Sequence, residues 1–201
     1  KMLTFNFKKL ILENPNGLML DLGCGEGRHI FGVMEEFPNL QCIGLDPHIK
    51  SLAKAYEGLD FLESISNKKT NFLSGSAYSL PFPDNSFDLV VCSEVLEHLH
   101  EYKDAIAEVS RVLKPGGVLI MIGENYIGRF KILIKYLKYI IRYKSIIAKF
   151  EDLFPSDDET GDHYYRVIDY YSFLEPLGYK INLFSKQKRK TAVIIAEKLI
   201  K

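Results

Sequence analysis

With 201 residues, 47% of them apolar and 26% charged, the chain has the balance of one globular domain large enough to bury a full core. Lys plus Arg number 26 and Asp plus Glu 26, which excludes a bulk electrostatic pull toward nucleic acid. The cysteines, Cys24, Cys42 and Cys92, show neither a C-x-x-C nor a metal-ligand spacing, so reduced thiols and a cytoplasmic location are expected. The opening residues read as neither a leader nor a membrane span.

In chain order, apolar runs bounded by Gly, Pro or Asn alternate with helical periodicity, the pattern of a doubly wound α/β sheet. A helix is expected over 3–13, a strand over 18–22, a helix over 27–37, a strand over 41–45 and a helix over 48–57. Strands follow over 70–74 and 87–92, then a helix over 101–113 that stops at Lys114-Pro115-Gly116-Gly117, and a strand over 117–122. A last helix near 167–176 leads into the runs YKINLF and TAVIIAEK, which lie six residues apart and should therefore pair antiparallel.

The first strand ends in LMLDLGCGEGRH, where three glycines alternate at Gly23, Gly25 and Gly27. That spacing lets the backbone turn off a strand end and bring bare amides, with the N-terminus of the next helix, against a ligand. Nineteen residues after Gly27, Asp46 closes the run CIGLD. A carboxylate one strand over from such a loop can accept hydrogen bonds from both ribose hydroxyls. Together they point to an adenosine-containing cofactor. The dinucleotide fingerprint needs its third glycine one residue later, where Arg28 stands, which speaks against a nicotinamide oxidoreductase.

G-x-G-x-G after Asp21 is similar to the class I S-adenosylmethionine-dependent methyltransferases. Two further segments carry the likeness: GSAYSLPFPDNSFDLVVCSEVLEHL over 75–99 and LKPGGVLIMI over 113–122. They resemble the small-molecule branch, which includes ubiquinone, sterol and sugar methyltransferases. The resemblance implies one domain over 1–201, with a Rossmann-like, seven-stranded, mostly parallel sheet, an antiparallel last strand and helices on both faces. It implies S-adenosylmethionine as cofactor, S-adenosylhomocysteine as product and a small-molecule or lipid-like acceptor.

It also implies roles for individual residues. Asp21 would hold the cofactor's ammonium, directly or through water, while Gly23, Cys24, Gly25 and Gly27 form its cradle. Asp46, followed by Pro47, would take the ribose. Family members often carry an acid at the position of Ser76; here Ser76 and the Ala77 backbone are expected at the adenine, with a weaker acceptor. Cys92 and Ser93 would line the methionine side. His98, with Glu94 one helical turn earlier, is the first candidate to contact the acceptor, and His163 is a candidate base. Glu124, Asn125 and Tyr126 follow the fifth strand, a natural place for groups facing the acceptor, whereas His29, His48 and His100 read as solvated or structural.

One segment, 124–165, stands apart as an insertion. Between Glu124 and Glu151 it has no acidic residue, and Arg129, Lys131, Lys135, Lys138, Arg142, Lys144 and Lys149 supply seven positive charges. Lys131, Lys135, Lys138 and Arg142 share one helix face. A lid packing its apolar side on the core, a helix lying on anionic lipid through 129–150, and a phosphate-rich partner are the three readings. Nucleic acid is the least expected of them, because the protein lacks a broader basic surface. A non-catalytic cofactor-binding scaffold and an enzyme acting on RNA or protein stand as rivals to the small-molecule enzyme. The oligomeric state is not legible.

Overall fold

The computed structural model describes residues 16–37, 39–66, 70–124, 137, 173–187 and 191–200. Strand β1 (Leu18–Leu22) leads through a glycine loop into helix α1 (Arg28–Glu36), then β2 (Gln41–Asp46) and α2 (Ile49–Ser66). Next come β3 (Asn71–Ser74), β4 (Phe87–Ser93), a 3-10 turn (Leu96–His98) and α3 (Tyr102–Val112). Strands β5 (Leu113–Glu124), β6 (Tyr179–Gln187) and β7 (Thr191–Lys198) complete the sheet. The helix expected over 3–13, residues 167–172 of that over 167–176, and 124–165 apart from Glu124 and Leu137 lie outside the described residues. Asn125, Tyr126, His163 and the basic residues over 129–150 therefore do too. Among the described residues, no helix is long and apolar enough to cross a membrane.

The seven strands form one sheet in the order β3-β2-β1-β4-β5-β7-β6. Pairs β1–β2, β1–β4, β2–β3 and β4–β5 are parallel. Strand β7 runs antiparallel to both β5 and β6, so the two closing apolar runs pair as their short separation requires. Strand order proceeds outward on either side of β1 and β4, which opens a crevice at their C-terminal ends, the usual ligand site of such sheets. Register brings Leu22 beside Leu45 on one side and Cys92 on the other, so the ends of β1, β2 and β4 meet at this crevice.

Successive strand residues point to opposite faces, and the sheet uses both. Leu20, Leu22, Val90, Cys92, Leu119 and Met121 pack with Ala105, Ile106 and Val109 of α3. Met19, Leu89, Val91 and Ile120 pack on the other side with Ile30, Val33 and Met34 of α1 and Leu52 and Ala55 of α2. Each fully buried aliphatic side chain contributes about 1.5–3 kcal/mol, and this double layer is what holds the crevice in shape.

Two boundaries differ from the sequence reading by four residues or more. Helix α2 runs on past residue 57 to Ser66. Gly58 within it is a packing choice: a Cβ there would stand 3.0 Å from the Phe31 ring of α1. Strand β5 begins at Leu113, four residues before the expected 117. Leu113 already pairs with Phe87, and the register shifts between Phe87 and Leu89, so the Pro-Gly-Gly turn is absorbed as an irregularity at the strand's start.

Candidate functional site

The glycine loop is fastened at one end and open at the other. Gly23 N and Cys24 N both donate to Leu45 O, at 2.7 and 3.2 Å, which ties the loop to the end of β2. Gly23 (φ 71°) and Gly25 (φ 53°) lie in the left-handed region that L side chains rarely adopt. They are not equivalent. A Cβ on Gly23 would overlap the Val95 side chain, whereas one on Gly25 would meet nothing within 4 Å. The protein therefore leaves open space on this side of Gly25, where a ligand can approach the backbone. Gly27, φ 80°, caps the N-terminus of α1.

Asp46, 9% exposed, links loop and strand. Its Oδ2 accepts from Gly25 N at 2.9 Å and its Oδ1 from His48 N at 2.8 Å. Pro47 and His48 are exposed and carry the chain into α2, where His48 Nδ1 lies 2.8 Å from Ser51 Oγ. The carboxylate stands at the crevice between the open side of the glycine loop and the loop after β3, where Gly75 N donates to Asp46 O at 3.3 Å.

Beneath the loop, Asp21 is completely buried, and neither of its carboxylate oxygens has a hydrogen-bond partner. His29 Nδ1 of α1 stands 3.5 Å from its Oδ1, close enough for charge attraction but not aligned as a hydrogen bond. Burial raises the Asp21 pKa, and the facing carboxylate raises that of His29. Read from sequence as solvated or structural, His29 is therefore a titratable side chain facing Asp21; no residue spacing betrays that pairing. Across the crevice, the Ser93 Oγ at the end of β4 is also buried without a partner. Cys92 turns into the core layer beside α3. Burial first, then the Asp21 and Asp46 carboxylates, pushes the Cys24 thiol well up, so it stays a protonated, inert wall.

The loop after β3 brings Ser76 and Ala77 to the Asp46 side. Ser76 is exposed; its Oγ accepts from Tyr78 N at 3.2 Å, and its carbonyl from Ser79 N at 3.3 Å. Ala77 is buried. His98, exposed, closes the 3-10 turn on the far side of β4. Glu94 is not on that turn: it precedes it with φ 56°, its N–H donating to Ile122 O at 2.7 Å. The structure thus gathers Asp21, Gly23, Cys24, Gly25, Gly27, Asp46, Ser76, Ala77 and Ser93 around one crevice, with His98 after the end of β4.

A sheet of this order, with a glycine loop and a strand-end carboxylate at its switch point, defines the class I S-adenosylmethionine-dependent methyltransferases. A methyltransferase domain family model matches residues 20–121, and the chain belongs to that family. It is 43% identical over 102 residues to an uncharacterized methyltransferase of Schizosaccharomyces pombe, covering 49% of this chain and 37% of that protein. It is 37% identical over 111 residues to a demethylmenaquinone methyltransferase of Lactococcus lactis, covering 54% of this chain and 42% of that protein. The chain thus spans less than half the length of these two relatives. Among solved structures, an S-adenosylmethionine-dependent methyltransferase from Methanosarcina mazei superposes with a TM-score of 0.71 at 24% identity, covering 95% of this chain and 98% of that one.

Proposed function

We propose that this chain binds S-adenosylmethionine in the crevice at the ends of β1, β2 and β4 and transfers its sulfonium methyl group to a small-molecule or lipid-like acceptor, releasing S-adenosylhomocysteine. The bound cofactor supplies a sulfonium-activated methyl group. Asp46 carries the reading: a buried carboxylate at the open side of a glycine loop, placed to accept two hydroxyls of a ribose. The groups present fit the rest of the molecule. Gly25 leaves its side of the loop open, and Ser93 Oγ is a buried hydroxyl without a partner. Asp21 is shielded, so its part is a buried carboxyl beneath the loop beside His29 and not a direct contact with the ammonium.

Methyl transfer is an in-line displacement, and holding two reactants in line is worth about 7–11 kcal/mol, so positioning by the chain is the main requirement. Ser76 and Ala77 are assigned to the adenine side and Ser93 to the methionine side. His98, exposed after the end of β4, and His163 are the residues assigned to the acceptor. The Lactococcus lactis relative, named for a menaquinone precursor, favours a lipid-like acceptor over a macromolecule.

Calorimetric titration with S-adenosylmethionine, S-adenosylhomocysteine and NAD tests the cofactor. Saturable binding of the first two and none of the third supports the reading, and an acceptor screen would then start with lipophilic compounds. Binding of neither overturns it and moves the scaffold alternative forward.

A further inference from the structure

The crevice is fastened on its β3 side by an ion pair that touches none of its walls. Arg111, in the last turn of α3, spends all its guanidinium N–H groups. Nε donates to Glu108 Oε1 at 2.7 Å, and Nη2 to Glu108 Oε2 at 2.9 Å and Leu80 O at 3.0 Å. Nη1 donates to Phe82 O at 2.8 Å and to Asp84 Oδ1 at 2.9 Å. Glu108 Oε2 in turn accepts from Leu80 N at 2.8 Å. Both backbone groups of Leu80 are therefore held by one helix-borne pair. Leu80 directly follows the turn that presents Ser76 and Ala77, and its side chain is buried beside Ala77 in the same core layer.

This arrangement does more than stabilise a surface. An exposed ion pair contributes little, but this one takes the place of a sheet ladder for a loop that has none. The planar fork of Arg fixes the carbonyls of Leu80 and Phe82 at once, which the point charge of Lys cannot reproduce. We propose that Glu108 and Arg111 are positioning residues for cofactor binding: they set the height of the Ser76–Ala77 turn against Asp46 and thereby the affinity for the adenosine half of the cofactor. The inference rests on the proposed placement of adenine at Ser76 and Ala77.

The test compares wild type with Glu108→Gln, Arg111→Lys and Lys198→Met. Lys198 Nζ donates to Ser110 O at 2.7 Å, to Leu113 O at 2.6 Å and to Asn85 Oδ1 at 3.4 Å, next to the same helix end but on none of the Leu80, Phe82 and Asp84 groups that Arg111 and Glu108 hold. It therefore serves as a control for plain destabilisation. S-adenosylhomocysteine and 5′-methylthioadenosine, which lacks the amino acid half, are titrated well below each variant's melting temperature. Arg111→Lys should weaken both ligands by the same factor, about ten-fold for the loss of charge-assisted hydrogen bonds. Glu108→Gln, which keeps an acceptor for Leu80 N, should recover part of that affinity, and Lys198→Met should bind as wild type does. The Leu80 amide should exchange faster with solvent in Arg111→Lys than in wild type. Unchanged affinity in Arg111→Lys, or losses that follow melting temperature as in Lys198→Met, would overturn the positioning role alone. Failure of wild type to bind S-adenosylhomocysteine would overturn it together with the proposed function.

Discussion

The two ends of the sheet treat their most enclosed carboxylates, Asp21 and Asp88, differently. At the N-terminal ends of the parallel strands the charged groups are paired, and among the described residues Tyr179 Oη, beside Lys198 in the register, is the buried polar atom left without a partner. Asp88 accepts from Leu18 N at 2.8 Å and from Lys114 Nζ at 2.9 Å, while Lys198, at the end of β7, holds the carbonyls of Ser110 and Leu113. At the C-terminal ends the Asp21 carboxylate and the Ser93 hydroxyl are buried without hydrogen bonds, and Glu94 adopts a left-handed φ of 56°. Leaving a buried polar group unpaired costs about 1–3 kcal/mol, so the upper end, with a whole carboxylate and a hydroxyl unpaired, carries more of that cost than the lower end with the Tyr179 hydroxyl. A fold tolerates such a cost where a ligand is to be bound.

Asp46→Ala offers the largest break in that contrast. It removes the acceptor assigned to the ribose and the tie to Gly25 and His48, so S-adenosylhomocysteine affinity should fall on the order of a hundred-fold or more by calorimetry. Unchanged affinity would refute the ribose assignment.

The glycine loop allows a sharper comparison. Gly23→Ala must displace Val95 as well as hold a left-handed alanine, and should lower stability by about 2–4 kcal/mol in denaturant melts. Gly25→Ala meets no protein atom and should cost only about 1–2 kcal/mol, for the backbone conformation, yet reduce cofactor affinity strongly. Equal stability losses at the two positions would contradict the open side assigned to Gly25. At the lower end, Lys198→Met strands two carbonyls and should destabilise by about 1–3 kcal/mol without changing ligand affinity.

The smallest effect is a pH dependence. Burial raises the Asp21 pKa, and Asp21 raises that of His29 above its ordinary 6.5. A raised folded-state pKa gives stability that is full below the unfolded value and lost as pH rises through the folded one. Stability should therefore decline as pH rises above 3.8 through Asp21 and again above 6.5 through His29, and His29→Gln should flatten the upper part of the melting-temperature profile. A profile of the same slope in His29→Gln would remove His29 as the cause.

Much of the upper end was legible because it is local. The glycine spacing at 23, 25 and 27, the acid closing β2 and the period-2 apolar runs are written in short stretches, each with its own physical consequence. His29 and Arg111 were not legible. Each acts on a residue brought close only by the packing of helix on sheet, and an Arg three residues after a Glu on a helix reads first as an exposed i, i+3 pair. The boundaries that differed have the same origin: Gly58 reads as a helix weakness until Phe31 packs against it.

The sequence by itself determined the α/β alternation, the family, the glycine loop and the antiparallel closing pair, because periodicity, turn chemistry and loop length act over a few residues. Only the tertiary structure decided which buried charges are answered and which are left open. It buried Asp21 beneath the loop instead of at its surface, and it gave the loop after β3 to an ion pair on α3. Those outcomes depend on distances between elements far apart in the chain, and these are set by how both faces of the sheet fill their cores.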